Sequence, residues 1–156
     1  MLETGKKEKS SAPKEFILKD SLLMHNNMFW SSTLDFHLGK LLDRAYAGDA
    51  GKKTIKNWLG SAREKNVVII QLDFPSDPLL LQFRPEGWSA KVLDEGQSVQ
   101  ADVELCSEHI SLIAFTDSLR SFIHALLRGS LKLPMLWQKP RDHYYAMRIF
   151  LGGNHG

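Results

Sequence analysis

Apolar and polar positions change their period twice along the chain. Ser32 or Thr33 can cap a helix whose Leu34, Leu38, Leu41 and Leu42 fall on one face, ending near Gly48. The stretch "KKTIKNWLGSAREKN" predicts a second, short helix with Ile55, Trp58 and Leu59 on one side and Gly60 as its stop. From Asn66 the pattern turns to strands. "NVVIIQLDF" is β-branched and nearly all apolar, "PSDP" breaks it, and "LLLQF" follows before "RPEG" breaks the chain again. "WSAKVLD" puts Trp88, Ala90 and Val92 on one face, "DEG" turns, and "ADVELC" sets Val103 and Leu105 opposite Asp102 and Glu104. Four strands joined by short turns predict an antiparallel meander.

Helical spacing then returns. Ser107 is placed to cap a helix over "SEHISLIAF", and Asp117 or Ser118 opens the clearest helix of the chain. In it Leu119, Phe122, Ile123, Leu126 and Leu127 occupy i, i+3, i+4, i+7 and i+8, the apolar stripe of a helix lying on a sheet. Gly129 ends it, "SLKLP" is a short fifth strand closed by Pro134, and "RDHYYAMRIFL" is a terminal helix. Residues 1–15 read as a disordered lead-in and 16–32 as an accessory segment, a short helix on an irregular stripe of Leu18, Leu22, Met24, Met28 and Phe29. Residues 33–151 form the domain, and 152–156 a frayed tail.

Composition narrows the function by exclusion. At 156 residues the chain fits one domain with a core of ordinary size. Its 20 basic and 18 acidic residues are too balanced to mark a nucleic-acid-binding protein by charge. The single cysteine, Cys106, forbids an internal disulfide and suits a reducing compartment, so a cytoplasmic protein is expected. No apolar run approaches the length that crosses a bilayer, and "MLETGKKEKSSAPKE" lacks the apolar core of a secretory signal.

The candidate chemistry is thin. "AGDAGKKT" contains glycine, lysine and threonine, but its spacing is not that of a phosphate loop, and it reads as a solvated turn between helices. His25, His37, His109, His124, His143 and His155 include no i, i+4 pair, so no metal site is expected and the histidines read as surface or helix-flank residues. Asp142 and His143 lack a nucleophile elbow to serve, and Asp142 reads as a helix cap. Cys106 stands at a strand end, where a helix dipole would lower its pKa, or where a buried thiol would serve as a small apolar filler. Lys52, Lys53, Lys56, Arg63 and Lys65 beside Trp58 form a solvated basic face or a contact for anionic headgroups, a peripheral membrane contact. No cofactor and no catalytic residue is called, and the chain is expected not to be an enzyme.

Taken in order, "ADVEL", "SEHISLIAF" and "HALLRGSLKL" resemble the core signature of the sterol carrier protein type two (sterol-binding) domain family. The resemblance covers roughly residues 33 to 150. Where the family strand is followed by glycine with aspartate or asparagine, this chain has "PMLWQKPRD". The resemblance implies an α+β domain whose five-stranded, mainly antiparallel sheet is covered by helices and encloses an apolar tunnel. It implies non-catalytic binding or transfer of a hydrophobic ligand: a fatty acyl chain, a sterol or another lipid. Trp88, Val103, Phe115, Phe122, Ile123, Leu126 and Leu131 are the expected lining. Apolar periodicity alone reads the 119–127 stripe as packed core. A second expectation is a ligand-free accessory module of lipid or isoprenoid-quinone biosynthesis, docking a protein partner through residues 16–30 and "PMLWQKP".

Overall fold

A computed structural model of the chain describes residues 30, 33, 37–73, 77–94, 97–108 and 118–152. Helices α1 (Gly39–Ala47) and α2 (Asp49–Leu59) precede three strands, β1 (Lys65–Gln71), β2 (Leu79–Arg84) and β3 (Gly87–Val92). Strand β4 (Val103–Ser107), helix α3 (Leu119–Arg128), strand β5 (Leu131–Lys132) and helix α4 (Pro140–Gly152) complete the described chain. The class is α+β, as expected. Expected features at 1–15, at 16–29, over "HISLIAF" and at 153–156 lie outside the described residues.

The sheet has five strands in the order β3-β2-β1-β4-β5. β1, β2 and β3 form an antiparallel meander, but β4 does not extend it. Instead β4 pairs in parallel with the far edge of β1, Val67 opposite Val103 and Ile69 opposite Leu105. The expected four-stranded meander is therefore corrected to a mixed sheet. The physical reason lies in β1, whose Val67 and Ile69 sit in the main core while Val68 and Ile70 join a second cluster on the other face. A strand apolar on both faces belongs at the centre of a sheet with a neighbour on each edge. The connection from β3 back to β4 makes that possible. Its Leu93, Val99 and Ala101 pack with Val68, Leu80 and Ile70, so the crossover itself covers the second face.

Helices cover the first face. Leu41, Leu42, Ile55, Trp58, Ala146, Ile149 and Phe150 join Leu79, Leu81, Phe83, Val103 and Leu105 in one buried cluster. Trp58 lies against Phe83 with ring centroids 5.2 Å apart, and its indole N–H donates to Asp142 Oδ1 at 2.8 Å. The same carboxylate oxygen takes Lys65 Nζ at 3.0 Å. Asp142 is thus a junction joining α2, β1 and the first turn of α4, where a simple cap was expected. Neither Trp58 nor Lys65 belongs to an open basic face, because both are turned inward to this junction.

Local rules explain several boundaries. Ser118 caps α3 in extended backbone, its hydroxyl accepting from Ser121 N at 3.1 Å. Gly129 ends the helix at φ +80°, its N–H reaching Leu126 O, where an L side chain would be strained. Other boundaries differ. Of the two caps expected before α1, Thr33 is itself in helical backbone and buried, while Ser32 lies outside the described residues. Trp30, expected on a docking segment, is fully buried in the main core and donates its indole N–H to Asp77 O at 2.9 Å. Ser107 is the last residue of β4, and its hydroxyl donates to Glu108 O at 2.8 Å.

Candidate functional site

A cavity of about 740 Å³ lies between the α1–α2 hairpin, α4 and the first turn of α3. Only Gly48 separates α1 from α2, so "AGDAGKKT" is mostly the first turns of α2, where a solvated turn between helices was expected. This short break presents Ala50, Gly51 and Thr54 to the cavity, facing Met147, Ile149 and Leu151 of α4. Gly51 explains how close the hairpin is. A Cβ there would overlap the carbonyl oxygen of Ala45 and lie 2.7 Å from its carbonyl carbon. Ala45 and Ile149 are buried walls, while Leu119 and Tyr144 are more than half exposed and mark the mouth.

The charged groups stand at the edge of this space. Arg44, Asp49 and Arg148 line it, and all three are exposed. Arg148 Nη1 donates to the Tyr144 hydroxyl at 3.2 Å, with the guanidinium 5.7 Å from the ring centroid. An apolar floor with a few polar groups at the opening is the general form of a small-molecule site, and the volume falls within the roughly 300 to 1,000 Å³ of such sites.

The residues expected from the sequence stand elsewhere. Val103, Phe122 and Leu131 are buried members of the main core, and Leu126 packs against it half-buried. Trp88 also packs on that core, with its indole N–H donating to Asp43 Oδ1 at 2.9 Å. Ile123 is 45% exposed on the outer side of α3. Phe115 lies outside the described residues. None of the six described residues lines the cavity, although Ile149, which does, belongs to the same core cluster.

The groups considered for chemistry are held structurally. His143, expected at the surface or on a helix flank, lies within α4, is buried and shares a hydrogen bond through Nδ1 with Lys139 O at 2.7 Å. Among the described residues no three His, Cys, Asp or Glu side chains come together as a metal site. Burial pushes the Cys106 thiol up, and Glu104 pushes it the same way against the weaker pull of Lys132. That direction runs against an activated thiolate, and the Cys106 side chain is only partly buried. No helix among the described residues is long and apolar enough to cross a membrane.

The architecture matches a solved structure described as "UbiJ-SCP2 Ubiquinone synthesis protein". The TM-score is 0.54 at 17% sequence identity, over 76% of this chain and 88% of that one. The fold is SCP2-like. No family model matches the sequence, and no curated protein matches it. Within the SCP2-like fold the motif residues of this chain have definite structural work. Asp102 of "ADVEL" accepts from Asn66 N through Oδ2 at 2.8 Å and faces Lys139 Nζ with Oδ1 at 3.6 Å, fixing the start of β4 against β1 and against the turn before α4. Gly129 of "RGSLKL" allows α3 to reverse into β5, which hydrogen-bonds to the edge of β4.

Proposed function

We propose that this SCP2-like domain is a non-catalytic carrier or presenter of a hydrophobic ligand, held in the cavity between the α1–α2 hairpin and α4. The observation that carries the reading is the cavity's apolar wall of Ala45, Leu119, Met147, Ile149 and Leu151. An acyl or isoprenoid chain burying about fifteen methylene-sized groups gains on the order of 12 kcal/mol at roughly 0.8 kcal/mol each. Association costs about 4 to 15 kcal/mol. Affinity in the micromolar range therefore needs no covalent attachment and no ion clamp. Phe122, Val103 and Leu131 contribute as the packed support of the site, through the core they share with Ile149.

Native mass spectrometry of gently purified protein, with displacement of a fluorescent fatty acid, tests the reading. Bound lipid or saturable uptake is expected, and Met147→Glu, which sets a carboxylate on the cavity wall, should remove it in a variant that circular dichroism shows to be folded. A folded, unaggregated parent protein that takes up no lipid overturns the proposal.

A second reading is favoured by Trp137, 89% exposed in the turn between β5 and α4. Here the domain is an accessory module, akin in role to the ubiquinone synthesis protein that shares its fold, and docks a protein partner through "PMLWQKP". Trp137→Ala that leaves lipid uptake intact but abolishes partner association would favour this reading.

A further inference from the structure

Helix α3 is amphipathic twice over. Toward the sheet it buries Phe122 and Ala125, with Leu126 half-buried. Its outer surface nevertheless carries Leu119, Ile123 and Leu127, which are 53%, 45% and 80% exposed. Four residues apart, these three form one ridge along the length of the helix. Arg120, His124 and Arg128 each follow a ridge residue by one position and are all exposed, so a basic stripe runs beside the apolar one. No Asp or Glu occurs from Ser118 through Arg141.

The ridge runs into the mouth of the cavity. Leu119 lines that mouth together with Tyr144, Arg148 and Arg44, which are all exposed, and Asp49 is the single carboxylate of the lining. Apolar residues in a row, bordered by arginines and placed on the outside of a folded domain, have the composition of a helix that lies in a membrane interface. Arginine stems can cover the apolar ridge while their guanidinium groups reach the headgroup layer. A second copy of the same face is a poor partner, since it would set arginine against arginine.

We propose that this face, the outer ridge of α3 with the cavity mouth beside it, docks on an anionic lipid surface and turns the cavity opening toward the bilayer. The docking requires no ligand in the cavity. It goes beyond the carrier reading and can fail or hold independently of it.

Sedimentation of the full chain with vesicles of phosphatidylcholine alone, and of equal parts phosphatidylcholine and phosphatidylglycerol, tests the assignment. Binding to the mixed vesicles, little to the neutral ones, and weakening with added salt are expected. Leu127→Glu should abolish binding, and Arg120→Ala and Arg128→Ala should each lower partitioning roughly fivefold, the worth of one cation at an anionic leaflet. Because all three side chains are exposed, their melting curves should match the parent's. Fluorescent fatty-acid uptake retained by Leu127→Glu separates docking from carriage. The assignment is overturned by absence of binding to the mixed vesicles, by equal binding to both kinds, or by binding that Leu127→Glu leaves intact. It is equally overturned if Leu127→Glu instead dissolves a dimer of the chain that binds no vesicle.

Discussion

Gly48 and Gly51 stand three residues apart, one at the break between α1 and α2 and one inside α2, and alanine should act on them in different ways. Helix propensity alone says that Gly51→Ala stabilises the chain by about 0.5–1 kcal/mol. The packing reverses the sign. The new Cβ would overlap the Ala45 carbonyl oxygen and lie 2.7 Å and 2.8 Å from that residue's carbonyl carbon and Cα. The obstacle is the backbone of α1, so no side-chain rotation relieves it and the hairpin must open. Overpacking of this kind costs about 1–3 kcal/mol and sometimes more. A backbone obstacle belongs at the upper end, so after subtracting the propensity gain a net loss of about 2 kcal/mol is expected. For a chain of this size that corresponds to a fall in Tm of about 4–8 °C. Gly48 has φ −89° and ψ 152°, which alanine adopts, and its Cβ would meet Arg44 O at an ordinary 3.5 Å. Reduced unfolded-state freedom contributes about 0.4–1 kcal/mol and the poorer N-cap costs a similar amount, so Gly48→Ala should stay within about 0.5 kcal/mol of the parent. Thermal unfolding followed by circular dichroism decides both. A Gly51→Ala protein that melts at or above the parent would refute the close approach of the hairpin, and with it the shape given to the cavity floor.

Three further outcomes follow from contacts elsewhere in the fold. Asp142→Ala strips Trp58 Nε1–H and Lys65 Nζ of the same acceptor and should cost about 2–4 kcal/mol in urea denaturation, with Asp142→Asn costing clearly less; equal losses would contradict the shared-acceptor geometry. Ser118→Ala should cost about 1 kcal/mol by removing the acceptor for Ser121 N, and Ser118→Asp should retain most of the stability in the same assay. Burial raises the Cys106 thiol above its ordinary 9.0, so alkylation at neutral pH should be slower than for a free thiol. The unfolded chain then releases this proton first, so the folded state loses stability as pH rises above that value, and an alkylation rate matching or exceeding the free thiol's would count against the partly buried placement.

Much of the fold is legible because the signals are local. The extended Ser118 and the left-handed Gly129 bound α3 where residue type and position say they should. Alternation in "WSAKVLD" and "ADVELC" correctly assigns Ala90, Val92, Val103 and Leu105 to the core face. Alternation reports the face of a strand, however, and not its neighbour. The pairing of β4 with β1 is a long-range choice, and its one local trace is that "NVVII" is apolar on both faces. Trp30 and Asp142 illustrate the same limit. Each finds its partner far along the chain, Trp30 at Asp77 and Asp142 at Trp58 and Lys65, and no spacing rule encodes such contacts.

The candidate site was harder to read, because apolar periodicity shows that a helix is amphipathic without showing how much of its apolar arc the sheet can cover. In α3 the five stripe residues span a wider arc than the contact, so Phe122 goes inward while Leu119, Ile123 and Leu127 remain outside. The cavity has an opposite kind of signal, which is absence of bulk. Ala50, Gly51 and Thr54 are small residues that line the cavity from α2, and Gly51 brings that helix close to α1, because a side chain there would run into the Ala45 backbone. A stretch that resembles a failed phosphate loop when searched for ligands thus becomes a cavity wall when searched for missing volume. Where a candidate site consists of apolar space, the positions that mark it are those where a helix facing the core has nothing large to put there.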